Sequence, residues 1–268
     1  MSGGEARDLL ERLVILAEQA GDEILRHYQA PIAVTQKADT SPVTAADHAA
    51  EAIILKTLPS LLPGVPVVSE EASAAGHTPR IGEESPDRRF WLVDPLDGTK
   101  EFLSRNGEFT VNIALIQGRR PILGVVHLPA LGTTYTGSVP VSGGPGRATL
   151  AQRGARPKVI ACRRQPPDGA IVLASRSHSN AAALEAFLSN EQVAAMENAG
   201  SSLKFCRVAE GLADIYPRLG RTMEWDTAAG QAVLVAAGGS VRTLDGKELG
   251  YGKPGFENPH FVARGREA

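Results

Sequence analysis

Thirteen consecutive residues, Phe90-Trp91-Leu92-Val93-Asp94-Pro95-Leu96-Asp97-Gly98-Thr99-Lys100-Glu101-Phe102, constrain this chain more than any other stretch. Residues 90–93 are apolar and rich in β-formers, which predicts a buried strand. Pro95 has no N–H to give to a ladder, so the strand is expected to stop with Asp94 at its carboxyl end. Gly98-Thr99 then opens a helix. Two carboxylates held together at a sheet edge disfavour each other's ionised form unless a cation neutralises them. Oxygen-only ligands select a hard ion, Mg²⁺ ahead of Zn²⁺. The N–H groups of Gly98 and Thr99 at the helix start add an anion site beside it. The purely structural alternative is that Asp94 caps a turn and Asp97 caps the helix.

A second acidic site lies far along the chain, in Glu224-Trp225-Asp226-Thr227-Ala228-Ala229-Gly230. Asp226 precedes a run of helix formers closed by Gly238-Gly239, so it is expected at the helix start as the N-cap. That helix is small-residue-rich on every face, which predicts burial in close packing. A carboxylate at a buried helix start needs a partner, and a shared cation supplies one. A third acidic element is Pro66-Val67-Val68-Ser69-Glu70-Glu71, an apolar run that ends on acid. Gly82-Glu83-Glu84-Ser85 competes with it, but within a polar stretch that reads as a surface loop. Ligands sit best on rigid elements, so Glu70 is the expected ligand and Glu83 the second choice.

Elsewhere the chain alternates. Residues 6–28 keep helical spacing of Leu9, Leu10, Leu13, Leu16, Ala17, Ala20, Ile24 and Leu25. A second helix is expected to start near Ser41-Pro42-Val43-Thr44, with Asp47 closing a capping-box variant. Strands are expected at 65–69, 90–94, 110–117, 121–128, 159–162 and 171–175, and helices at 180–188, 202–210 and 227–237. Residues 137–157 read as hairpin and linker. This predicts an α/β (mixed α+β) plan. The expected division is a domain over 1–150 with most of the metal ligands and one over 151–268 with Asp226 and the recognition segments. The 268 residues suffice for one large core or two joined domains.

A net charge of −2 argues against a partner that is a nucleic acid polymer. No signal pattern opens the chain and no apolar run approaches the ~20 residues of a membrane span. Cys162 and Cys206 lack metal spacing and read as buried thiols, which suits a cytoplasmic protein.

These motifs, in this order, resemble the inositol monophosphatase superfamily of Mg²⁺-dependent, lithium-sensitive phosphatases, over nearly the whole chain. Shorter runs are similar to its bacterial 3'(2'),5'-bisphosphate nucleotidase branch. Among them are Ser69-Glu70-Glu71, Asp97-Gly98-Thr99-Lys100-Glu101-Phe102, Ser175-Arg176-Ser177-His178 and Gly200-Ser201-Ser202-Leu203-Lys204. The resemblance implies a layered αβαβα sandwich and two or three Mg²⁺ ions per site. Asp94 would bridge two of them, with Glu70 and the Leu96 carbonyl completing one and Asp97 and Asp226 the other. It also implies that Asp47 holds Thr99, which orients the attacking water together with Glu70. Gly98, Thr99, Lys100, Ser175, His178, Ser202, Lys204 and Arg218 are the implied substrate contacts. Hydrolysis of adenosine 3',5'-bisphosphate to AMP and phosphate, clearing a by-product of sulfate activation, is the expected activity. The competing readings are an inositol or sugar phosphatase on the same metal site and a non-catalytic nucleotide-binding regulator. A homodimer and peripheral association with the inner membrane stay open.

Overall fold

The apolar stripe of the N-terminal segment forms one long helix in the computed structural model of the protein, which describes residues 2–29, 34–36, 42–81, 86–175 and 181–266. This helix, α1 (Gly3–Gln29), buries Leu9, Leu13, Leu16, Ala17, Ala20 and Ile24 on one face. A two-stranded ribbon, β1 (Val34–Gln36) and β2 (Pro42–Thr44), leads into α2 (Ala45–Leu61). Pro42 therefore lies in a strand rather than at the helix start; Thr44 is the N-cap, and its capping box with Asp47 is complete.

The chain next builds a seven-stranded sheet in sequence order. Its strands are β3 (Val67–Ser69), β4 (Arg89–Asp97), β5 (Thr110–Gln117), β6 (Arg120–Leu128), β7 (Thr133–Ser138), β8 (Arg147–Gln152) and β9 (Lys158–Ile160). Only β3 and β4 pair in parallel; the rest form an antiparallel meander. Short helices follow two strands directly: α3 (Glu70–Ala74) after β3, and α4 (Thr99–Leu103) after β4. A five-stranded sheet completes the fold, in the order β11-β10-β12-β14-β13, from β10 (Ala170–Ser175), β11 (Val193–Ala199), β12 (Ile215–Arg218), β13 (Ser240–Thr243) and β14 (Phe261–Arg264). Helices α5 (Ala181–Leu188), α6 (Leu203–Ala209) and α7 (Ala228–Ala236) accompany it.

Strand periodicity sorts the side chains into layers. Trp91 and Val93 of β4 join α1 and α2 in one core, with Val111, Ile113 and Leu115 of β5. Phe90 and Leu92 point the other way, into a second core shared with α6, α7 and the inner face of the five-stranded sheet. Phe187 and Leu188 of α5 pack on Val172, Ile215 and Val262 beyond it. The result is the five-layer αβαβα order that the family resemblance implies. The small residues of α7 earn their place here: a Cβ on Gly124 of β6 would lie 2.5 Å from the Ala229 carbonyl, and one on Gly137 of β7 equally close to that of Ala232. Glycine in the sheet lets the helix backbone lie directly on it.

One expectation fails instructively. β4 does not stop at Asp94 but continues through Pro95 to Asp97. Asp94 pairs with Asn112 and Asp97 with Thr110, with a register shift between them. Proline is tolerated because it falls in that irregularity, where no ladder hydrogen bond is asked of it. Both acids are thus held on a sheet strand. Glu70 likewise is not the last residue of its strand but the first of α3.

Candidate active site

The period of β4 aims Asp94 at the middle helical layer, where the start of α7 brings Asp226 to meet it. Glu70, Asp94 and Asp226 each offer a carboxylate oxygen, and these atoms lie within 4.8 Å of one another. Asp94 is buried, and its Oδ1 accepts the Leu96 N–H at 3.0 Å. Asp226 is not the helix cap: Thr227 holds that position, and Asp226 Oδ2 accepts the Met223 N–H at 2.8 Å. Burial, then the neighbouring Asp97 and Glu70 carboxylates, push the Asp226 carboxyl well above the usual carboxylate range. Three acids converging in this way fit a hard divalent cation, which would remove the repulsion and take one oxygen from each.

Asp97 stands beside that set and lines the same cavity. It does not cap α4, whose N-cap is Gly98. Its Oδ2 takes three donors: Ser202 N at 2.7 Å, and Thr110 Oγ1 and Asn112 Nδ2 at 3.3 Å each. Those bonds fix the carboxylate plane and leave Oδ1 without a protein donor among the described residues. Ser202 is buried, donates its hydroxyl to the Asp226 carbonyl at 2.7 Å and accepts from Asn112 Nδ2 at 2.9 Å. Expected at the substrate, it instead ties Asp97 to Asp226 and is absent from the cavity wall.

Gly98 adopts φ +91°, and a Cβ there would stand 2.0 Å from Ser201 Oγ. Only glycine satisfies both demands. The turn presents Thr99, whose hydroxyl donates to Asp47 Oδ1 at 3.4 Å. Asp47 Oδ2 meanwhile accepts from Thr44 N at 2.8 Å and Thr44 Oγ1 at 2.7 Å. One carboxylate thus caps α2 and holds Thr99, a different oxygen for each duty. α4 itself is only five residues long, so its dipole adds little to the anion site.

The cavity encloses about 440 Å³. Lys100 stands exposed at its edge, and Ser175 and Arg218 form part of its wall. Arg218 donates from Nη1 to Ser175 Oγ at 3.3 Å and from Nη2 to the Arg221 carbonyl at 2.7 Å, while its buried Nε has no acceptor among the described residues. Lys204 is almost fully buried, with Nζ 3.1 Å from the Ala199 carbonyl, 2.8 Å from that of Ser201 and 5.2 Å from the centre of the Tyr216 ring. Burial lowers its ammonium to about 8, against the pull of Asp97. Its donors hold the Gly200-Ser201 turn that covers Gly98. His178 and Glu83 lie outside the described residues.

Sequence reasoning missed Thr110, Asn112, Glu101 and Glu224. Glu101 lines the cavity, and burial, then Asp97, raises its carboxyl. Glu224 is fully buried and accepts Gly252 N at 2.7 Å and Lys253 N at 2.9 Å, with Lys253 Nζ also at 2.7 Å. It anchors the loop that delivers Asp226; a charged residue beside an otherwise apolar run was the available signal. Glu224→Ala leaves the Gly252 and Lys253 N–H groups without their acceptor, while the half-buried Lys253 ammonium keeps the Gly250 carbonyl and Asn258 Oδ1, so denaturant unfolding should show a loss of about 1–3 kcal/mol. Glu224→Gln, which keeps one acceptor, should lose less.

Residues 5–265 match the inositol monophosphatase family. The chain belongs to this family. It is 46% identical over 256 residues to the 3'(2'),5'-bisphosphate nucleotidase CysQ of Escherichia coli strain K12, covering 94% of this chain and 98% of that one. Identity to the same-named protein of Buchnera aphidicola is 40% over 263 residues, covering 96% and 94%. In structure it resembles CysQ from Bacteroides thetaiotaomicron, a member of the same family, with a TM-score of 0.74, 34% identity and coverage of 94% and 95%. Its likeness to the Thermotoga maritima IMPase, with a TM-score of 0.71 at 22% identity, concerns the fold alone. Among the described residues no helix is long and apolar enough to cross a membrane.

Proposed function

We propose that this family member is a Mg²⁺-dependent, lithium-sensitive phosphate monoester hydrolase: a 3'(2'),5'-bisphosphate nucleotidase that converts adenosine 3',5'-bisphosphate to AMP and phosphate. The observation that carries the reading is the convergence of Glu70, Asp94 and Asp226 within 4.8 Å beside the Gly98-Thr99 turn, in a cavity that also holds a guanidinium. The nucleotidase names of relatives at 40–46% identity support the choice of substrate.

Glu70, Asp94, Asp97, Asp226 and the Leu96 carbonyl would hold two or three Mg²⁺ ions. Bound there, Mg²⁺ supplies Lewis-acid neutralisation of the phosphoryl oxygens and acidifies water at neutral pH. The chain's own groups do the rest. Asp47 fixes the Thr99 hydroxyl, Thr99 and Glu70 orient the attacking water, and its proton passes to the Glu70 carboxylate. The Gly98 and Thr99 N–H groups face the transferring phosphoryl oxygens, and Lys100 adds positive charge at the rim. Water forms the new P–O bond as the ester P–O bond breaks, and the leaving oxygen collects a proton. Arg218, braced by Ser175, meets the second phosphate. Lys204 and Ser202 act by holding the turn and the two acids in place.

The test is phosphate release from adenosine 3',5'-bisphosphate, inositol 1-phosphate and fructose 1,6-bisphosphate, with Mg²⁺, with EDTA and with added Li⁺. The expected result is a preference for the nucleotide, lost with EDTA and reduced by Li⁺. A preference for inositol or sugar phosphate overturns the substrate assignment; absence of turnover on all three favours a binding protein.

A further inference from the structure

We propose that Glu51, which belongs to none of the motifs above, is the positioning residue for Glu70; the inference rests on the ligand role proposed for Glu70. Glu51 lies on α2, one turn beyond Asp47, and is 9% exposed. A single oxygen of its carboxylate, Oε1, accepts two bonds from the β3–α3 junction. One comes from the Ser69 hydroxyl and the other from the Ala72 N–H at 3.0 Å. Ser69 and Ala72 flank the Glu70-Glu71 pair. The contact therefore clamps the backbone immediately before and after the acids.

The clamp also explains an oddity of α3. Ser69 is its N-cap, yet the Ser69 side chain makes no cap bond to the helix. A serine in that place normally accepts an N–H of the first turn. Here its hydroxyl donates to Glu51, and Glu51 accepts the third N–H of the helix in its stead. The cap is borrowed from another helix 18 residues upstream of Ser69. A local cap would fix only the shape of α3. A borrowed one fixes where α3 sits relative to α2.

α2 thereby sets two positions at once. Asp47 holds the Thr99 hydroxyl and, one turn on, Glu51 holds the start of α3. Both groups assigned to the water are spaced by one rigid helix, which is what a site needs when its groups come from separate elements. Burying a further carboxylate beside an acidic cluster is costly, and the two bonds it accepts, each strengthened by its charge, offset that cost.

The experiment measures Mn²⁺ binding by calorimetry, together with kcat and KM for adenosine 3',5'-bisphosphate, in wild type and four variants. Outer groups that orient metal ligands typically change affinity or activity about 10- to 100-fold. Glu51→Ala is expected to weaken Mn²⁺ binding and lower kcat within that range, with KM for the nucleotide moving less. Glu51→Gln keeps an acceptor oxygen and should recover most of the loss. Ser69→Ala removes one of the two clamped groups and should shift Mn²⁺ affinity in the same direction by less. If Glu51→Ala does not fold, Ser69→Ala and Glu51→Gln decide. Wild-type Mn²⁺ affinity in a folded Glu51→Ala, or in Ser69→Ala, overturns the proposal, as does a Gln variant as impaired as Ala. Glu70→Gln separates the two readings. Unchanged Mn²⁺ binding there removes Glu70 as a ligand, whereas weakened binding there with intact binding in Glu51→Ala removes only the positioning role.

Discussion

Asp94→Asn is expected to abolish Mg²⁺-dependent phosphate release, with a fall of about 10³-fold or more in kcat/KM. Metal-centred charge stabilisation is worth several kcal/mol and every 1.4 kcal/mol is a factor of ten, which sets that scale. The substitution is close to isosteric. An amide oxygen still accepts the Leu96 N–H that Asp94 Oδ1 accepts at 3.0 Å, so the end of β4 keeps its shape. What disappears is one negative charge from a cluster of three. Without added metal the variant should melt at or above the wild-type temperature, because a repulsion has been removed. With Mg²⁺ the wild type should gain thermal stability by mass action and the variant should gain much less. Near wild-type turnover in a folded, monodisperse variant rules out the metal assignment.

Arg218→Ala is expected to reshape specificity rather than chemistry. The guanidinium lies on the cavity wall, and one of its donors, Nε, has no acceptor among the described residues. Loss of a charge-assisted contact to a second phosphate costs roughly 1.5–3 kcal/mol, about ten- to a hundred-fold in kcat/KM. The measurement is the ratio of kcat/KM for adenosine 3',5'-bisphosphate to that for adenosine 3'-monophosphate, which lacks the second phosphate. Wild type should favour the bisphosphate, and the ratio should fall toward one in the variant. Arg218→Lys keeps the charge but not the planar fork, so it should restore only part of the ratio. An unchanged ratio in Arg218→Ala takes this residue out of recognition. Lys204→Ala should behave differently, since its ammonium already serves the Ala199 and Ser201 carbonyls. Its loss loosens the turn over Gly98 and should lower activity on both substrates together.

Much of this protein is written locally, and local writing is legible. The stripe of α1, the apolar run of β4, the Thr44–Asp47 capping box and the small-residue run of α7 each specify an element through near neighbours. The αβαβα order and the acids at 70, 94 and 226 followed from motif resemblance together with those elements. Tertiary structure decided the rest. Whether β4 ends at Pro95 depends on its partner: β5 offers Thr110 to Asp97 across a register shift, and only pairing reveals it. The strands at 215–218, 240–243 and 261–264 have four residues each and the one at 193–199 is mostly exposed, so they gain meaning only once the sheet is assembled. Ser202 and Lys204 carry the same donors whether they face a ligand or a carbonyl. Their roles turn on which groups lie within 3 Å or so, and those come from residues up to 105 positions away. Glu51 reads as one more polar residue of a helix until β3 folds against it. A sequence records chemistry and local periodicity; it does not record distance, and an active site assembled from two sheets is made of distances.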